Sequence, residues 1–348
     1  MKLSLVLTFL ENEIKKNRLP GAVLHVSHRG QLVCQEALGY KTVFPTPTEM
    51  KLDTVFDLAS LTKVIATLPA TLKLLEEGKL GLYDSVSKHI PEFDSHDKDK
   101  IRIFHLLTHS SGLVADRPYH KQQLAKKEIL EAICAEQLIY EPGQKVIYSD
   151  LGMILLSFLI ERVTGEAFDQ YCAKVIFDPL DMKDTGFNPS FPIERYAATE
   201  LCPIRQEYKC GIVHDEKAET MGGVSGHAGL FSTVQDLAKF ARMIELNGRD
   251  KPILSEASIR LSKKNFTPAL DEGRGLGWMM KSPISYSACG ELFSDLSYGH
   301  TGFTGTSLWF DPEEELHVIL LTNRVHYGRE PHILDIRPKV HNMIRAMF

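Results

Sequence analysis

Strand-like periodicity is confined to the two ends of this 348-residue chain, and residues 60 to 247 between them carry mostly the helical period. Near the start, Leu3, Val6, Leu7, Leu10 and Ile14 follow the helical spacing, which stops at Pro20-Gly21. The runs Ala22 to Val26 and Leu32 to Cys34 then flank His28-Arg29-Gly30, the pattern of a hairpin. Helices are predicted at 60–78, 124–136, 151–164, 167–174 and 234–247, with Thr233 and Asp236 as a capping pair for the last. Strand character returns at 275–280, 306–310 and 316–321, the last two joined by the acidic turn Asp311-Pro312-Glu313-Glu314-Glu315, and an amphipathic helix over 333–348 follows. Strands at opposite ends of a chain share a sheet only if the chain closes on itself. The pattern therefore predicts an α+β protein: a sheet domain built from 1–59 and 248–348, and a mainly helical domain over 60–247.

Hydrophobic residues make up 43% and charged residues 24%, ordinary for a folded chain of this length. A formal net charge of −5 without a basic stripe argues against a nucleic-acid partner. The longest apolar run, Leu151 to Ile160, is well short of the ~20 residues a membrane span requires. Charge returns at Glu11 with no small-residue cleavage site after it, so the first residues read as a surface helix and the chain as cytoplasmic. Six scattered cysteines form no CxxC or zinc spacing, which implies free thiols; only Cys202 and Cys210 are close enough to suggest a loop bridge. No cofactor or metal is expected.

The chemistry is concentrated in Ser60-Leu61-Thr62-Lys63. On a helix, residues three apart are neighbours, so an amine stands beside a hydroxyl near the free amides of a helix start. That arrangement suits a covalent nucleophile with a base and an oxyanion site. An unperturbed lysine near pKa ~10.4 is protonated, so Lys63 has to be desolvated or crowded by positive charge to act as the base.

Two further segments follow. Tyr148-Ser149-Asp150 lies 88 residues after the serine, and His300-Thr301-Gly302 lies 152 after the tyrosine. In this order the three segments resemble the SxxK, YxN and KTG motifs of the serine beta-lactamase and penicillin-binding superfamily, and the tyrosine is similar to that of its class C branch. His105 to Leu113, Leu74 to Leu80 and Gly226 to Thr233 are phrases similar to those of class C enzymes and their esterase and peptidase relatives. The resemblance implies an antiparallel sheet flanked by the terminal helices, an all-α domain, and an active site between the two. It also implies Ser60 as nucleophile, Lys63 and Tyr148 as catalytic partners, and Asp150, His300, Thr301, Gly302 and Phe303 as substrate-binding positions. The amides of Ser60 and Phe303 would form the oxyanion hole.

Two departures bear on substrate. Asp150 stands where an asparagine is usual; it can accept from Lys63 but cannot donate to a substrate carbonyl. It would also keep Lys63 charged and move the burden of the base to Tyr148. His300 stands where a lysine is usual, charged only below about pH 6.5 unless an acid neighbour raises it. A tyrosine near pKa ~10 would be helped by two cations, Lys63 and a protonated His300. From sequence, either Lys63 or Tyr148 could serve as base. His105 and His109 have the spacing of a zinc pair without a third ligand, so structural contacts are expected. The glycines of 222–229 fit a loop at the cleft rather than a phosphate site.

These observations predict a serine hydrolase acting through an acyl-enzyme on a small ester or D-amino-acid-type amide. The alternatives are a true beta-lactamase, a penicillin-binding D-alanyl-D-alanine carboxypeptidase, or a non-catalytic ligand sensor. The expected partner is a small-molecule substrate; oligomeric state stays open.

Overall fold

A computed structural model describes residues 2–95, 97–282 and 284–348. Its main sheet has seven strands: β1 (Gly21–His28), β2 (Gln31–Thr42), β3 (Thr48–Glu49), β4 (Met279–Met280), β5 (Tyr298–Thr301), β6 (Ser307–Asp311) and β7 (Leu316–Thr322). The order is β3-β2-β1-β7-β6-β5-β4, every adjacent pair antiparallel. The two ends of the chain meet at β1 and β7, where Ala22 pairs with Thr322 and His28 with Leu316.

Strand side chains alternate between two cores, as the twofold period dictates. Leu24 and Val26 of β1, Trp309 of β6 and Val318 and Leu320 of β7 pack against Val6 and Leu10 of helix α1 (Lys2–Lys15). Ile336, Val340 and Ile344 of the C-terminal helix cover the same face. The opposite side chains, Val23, Leu308, Phe310, Ile319 and Leu321, join a larger core with Leu61, Ile65 and Leu155 from the helical region. Full burial of each such side chain is worth roughly 1.5–3 kcal/mol.

In the middle of the chain, α2 (Leu68–Glu76), α3 (Lys126–Ala135), α4 (Asp150–Thr164) and α5 (Val234–Glu245) fall within the segments predicted for them, give or take a residue or a turn, and α6 (His332–Arg345) ends the fold. Thr233 accepts from the Asp236 amide at 3.4 Å, the expected cap. The strand predicted over 275–280 shrinks to two residues. Gly277 takes φ +74° and donates its amide to the Leu107 carbonyl, while Gly275 N–H bonds Trp278 O at 3.0 Å, so a turn consumes the backbone groups a strand would use. Cys202 and Cys210 are free thiols, not a bridge. No helix is long and apolar enough to cross a membrane among the described residues.

Candidate active site

Ser60 sits in a tight turn rather than a regular helix. Residues 59–61 form one 3-10 turn, residues 63–67 a π turn, and α2 follows. The turn is anchored by Asp57, whose carboxylate accepts the amides of Ala59 at 2.8 Å and His214 at 2.6 Å. Thr62 Oγ1 donates to the Ala59 carbonyl at 2.6 Å. Ala59 is held at φ +46°, a conformation a residue with a Cβ adopts at a cost of order 1 kcal/mol. Lys63, three residues on at the start of the next turn, lies on the same face as Ser60, and its Nζ reaches Ser60 Oγ at 2.9 Å.

Lys63 is fully buried, and its Nζ has three acceptors each 2.9 Å away: Ser60 Oγ, the His227 carbonyl and Asp150 Oδ1. Burial works against its charge, yet Asp150 and the Tyr148 phenol outweigh that and raise its pKa above the ordinary lysine value. Lys63 is therefore an ammonium that donates to the serine oxygen. Asp150 is held below the usual carboxylate range: burial opposes ionisation, and Lys63, His227 and Lys217 overcome it.

Tyr148-Ser149-Asp150 is fixed by the loop over 109–115. His109 O accepts from Ile147 N at 2.9 Å, His109 Nδ1 accepts from Ser149 N at 3.1 Å, and Asp150 N donates to Ala115 O at 2.9 Å. The His109 ring lies 4.5 Å from the Tyr148 ring. His105 Nδ1 accepts the Arg102 amide, so both histidines of the zinc-like pair make structural contacts. The third segment arrives on β5. Gly302 needs to be glycine, because a Cβ there would lie 2.4 Å from Leu58 O and 2.2 Å from Thr306 Oγ1. Thr304 and Thr306 tie the loop after it to the carbonyls of Asp57 and Leu58 at 2.8 and 3.0 Å. Gly302→Ala is expected to push this loop off the serine turn, costing about 1–3 kcal/mol in a denaturant melt and at least tenfold in turnover.

The structure thus gathers Ser60, Lys63, Tyr148, Asp150, His300, Thr301, Gly302 and Phe303 in one region. Ser60, Tyr148 and residues 300–303 line a cleft of about 620 Å³, with Lys63 and Asp150 behind them. His300 does not supply the expected second cation. It is buried, and burial together with Lys63 and Arg274 lowers its pKa to about 3, so it is neutral, with Nδ1–H donating to Thr301 O at 2.9 Å. The second cation is Arg274, whose guanidinium carbon lies 5.6 Å from the Tyr148 ring centre and whose Nη2 pairs with Glu272. Sequence reasoning missed it: a lone arginine between glycines carries no motif. Its side chain is 2% exposed, and its Nε and Nη1 have no hydrogen-bond partner among the described residues. Arg324 and Arg337 line the same cleft, with apolar Met279, Ile333 and Leu334.

Among the described residues, one group of metal-ligand type occurs, Asp150, Asp215 and His227, within 4.8 Å of one another. Each is already engaged: Asp150 with Lys63, and Asp215 Oδ1 with His227 Nε2 at 2.9 Å.

A seven-stranded antiparallel sheet covered by terminal helices, with a serine turn at its edge, is the beta-lactamase/transpeptidase architecture. The chain belongs to the Beta-lactamase family, whose family model matches residues 8–338. It is 37% identical over 358 aligned residues to a candidate D-alanyl-D-alanine carboxypeptidase of Salmonella agona, covering 91% of this chain and 82% of that protein. Among solved structures it is similar to EstCE1, a hydrolase with promiscuous acyltransferase activity, with TM-score 0.77 and 24% identity over 97% of this chain and 98% of that one. It is similar also to the unliganded simvastatin synthase LovD of Aspergillus terreus, with TM-score 0.77 and 21% identity over 100% and 98%. The penicillin-binding protein homologue of Pyrococcus abyssi, an octamer, gives TM-score 0.75 and 23% identity over 96% and 76%. At such identities the structures speak for the fold alone. The protein is a Beta-lactamase-family serine hydrolase.

Proposed function

We propose that this enzyme hydrolyses small carboxylate-bearing esters or D-amino-acid-type amides through an acyl-enzyme on Ser60. The observation that carries the reading is Lys63 Nζ, buried and 2.9 Å from Ser60 Oγ, behind a cleft rimmed by arginines. Lys63, charged beside Asp150, is the donor that orients the serine oxygen and Tyr148 is the base. Tyr148, acting as the phenolate, takes the Ser60 proton as Oγ attacks the carbonyl carbon, and the Ser60 and Phe303 amides receive the oxyanion. The C–O or C–N bond then breaks, and Tyr148 returns the proton to the departing alcohol or amine. A water deprotonated by Tyr148 in the same way attacks the acyl carbon; the bond to Ser60 Oγ breaks, the proton passes back to Oγ, and the acid leaves.

Arg274 takes the place that a lysine or charged histidine would fill in binding a substrate carboxylate. Its two unpartnered nitrogens, Nε and Nη1, and permanent charge suit a carboxylate at any working pH, which a neutral His300 does not. The name of the Salmonella agona relative favours the peptidase form of the reading. Asp150 disfavours acylamino beta-lactams, since its carboxylate cannot donate to their side-chain carbonyl.

The test is labelling of the protein by a fluorophosphonate and a penicillin probe in parallel, with peptide mapping. The label is expected on Ser60 and absent from Ser60→Ala; a label elsewhere removes the reading. With turnover in hand, Arg274→Met is expected to raise KM about 10- to 100-fold for a carboxylated substrate and leave a neutral short-chain ester within about threefold.

A further inference from the structure

An aspartate beside Lys63 poses an electrostatic problem, because one buried carboxylate against one ammonium removes the net positive charge from the serine's surroundings. The fold holds a second ammonium on the far side of that carboxylate. Lys217 Nζ lies 3.8 Å from Asp150 Oδ2, while Lys63 Nζ lies 2.9 Å from Oδ1. Lys217 is 5% exposed and belongs to the short helix Glu216–Thr220, where Asp215 Oδ1 accepts the Ala218 amide. On its outer side it meets Asp116 Oδ1 at 2.5 Å, and Asp116 is half exposed. Charges therefore alternate from the serine to the surface in the row Lys63, Asp150, Lys217, Asp116. The inner three groups leave one net positive charge, the same that Lys63 alone would leave beside a neutral side chain at 150.

We propose that Lys217 is a positioning residue for Ser60 chemistry, the counter-charge that allows an aspartate to stand at 150 without neutralising Lys63. It touches neither Ser60 nor the cleft and acts through Asp150. With Lys217 present, the two oxygens of Asp150 are shared between two ammonium groups, and Lys63 keeps an N–H for Ser60 Oγ. Without it, the whole carboxylate bears on Lys63. The other groups facing the row are Tyr148, Arg274, His300 and His109 on the serine side, with Asp215 and His227 on the other. Asp215 is paired to His227, and His227 Nδ1 to Ser225 Oγ at 2.8 Å, so neither is free to replace Lys217. The inference rests on Ser60 as the nucleophile.

The test is the second-order rate of fluorophosphonate labelling of the full chain between pH 5.5 and 9, in wild type, Lys217→Met, Lys217→Arg, Asp150→Asn and the double variant D150N/K217M. Removing a cation makes the active-site base harder to deprotonate, and removing an anion makes it easier. Lys217→Met is expected to slow labelling at pH 7 about tenfold and to move the half-maximal pH up by about one unit. Asp150→Asn is expected to slow it comparably and to move that pH down. The double variant restores the net charge, so its rate is expected within about threefold of wild type and its profile close to the original; Lys217→Arg is expected to retain most of the rate. Losses that multiply in the double variant, or a Lys217→Met profile equal to wild type, overturn the proposal. Should Lys217→Met not fold, the double variant is compared with Asp150→Asn alone: recovery of at least fivefold supports it, and no recovery overturns it. A wild type without label on Ser60 overturns this inference together with the function; a labelled wild type with an unrecovered double variant overturns this inference alone.

Discussion

Lys63→Met is expected to slow acylation of Ser60 by about a thousandfold, and Lys63→Arg to rescue little of it. The lysine tip is enclosed, with three acceptors each at 2.9 Å around one nitrogen. Methionine fills nearly the same volume but donates nothing, so Ser60 Oγ loses its orienting partner and the cationic field at the reaction centre. Arginine keeps the charge but its planar fork is too large for a fully buried slot shaped to an ammonium. Stability falls as well, because Asp150 loses its nearest ammonium and keeps Lys217 at 3.8 Å; loss of one partner of a buried pair costs about 3–5 kcal/mol, and the remaining lysine reduces that figure here. Labelling kinetics beside a thermal melt separates the two effects. A folded Lys63→Met protein that reacts within fivefold of wild type would remove Lys63 from the mechanism.

The second large effect is on stability in acid. His25, His300 and His341 are 6%, 1% and 0% exposed, and burial above all lowers their pKa values to about 4, 3 and 4. They are neutral in the folded protein, whereas in the unfolded chain each protonates near the ordinary 6.5. Below pH 6.5 the unfolded state therefore binds more protons, and the contribution present above that pH is lost as pH falls toward 4. Each histidine gives a slope of about 1.4 kcal/mol per pH unit, so these three alone give about 4, and His105 and His109, likewise held below 6.5 by burial, add to it in the same direction. Against a net stability of about 5–15 kcal/mol, cooperative unfolding is expected between about pH 4 and 5. The carboxylates held low, Glu200 and Asp84 at about 2, contribute only at still lower pH. Urea melts from pH 7 to 5 measure the slope, and His341→Gln should lower it by about 1 kcal/mol per pH unit. A stability independent of pH over that range would sink the account.

Much of the fold was legible because its signals are local. The apolar spacing of α1 and α6, the hairpin around His28-Arg29-Gly30 and the acidic turn before β7 each need only neighbouring residues to be recognised. The strand over 275–280 was overestimated for a tertiary reason: Gly277 spends its amide on Leu107, more than 150 positions away. At the site, residue types and order were readable, and so was the consequence of Asp150 for Lys63, since a carboxylate next to an amine has one electrostatic outcome. Arg274 and Lys217 were not readable. Neither lies in a motif, and each matters only through a distance to Tyr148 or Asp150 that folding creates.

The sequence by itself determined where most strands and helices fall and which functional groups of its three motifs meet at the cleft, because side-chain period and functional groups are properties of short stretches. Only the tertiary structure decided how deeply those side chains are buried together, and with that the charge of His300. Lys63 is an ammonium and His300 a neutral imidazole because burial and neighbours from distant segments set the free energy of each proton, and no local pattern of residues contains that sum.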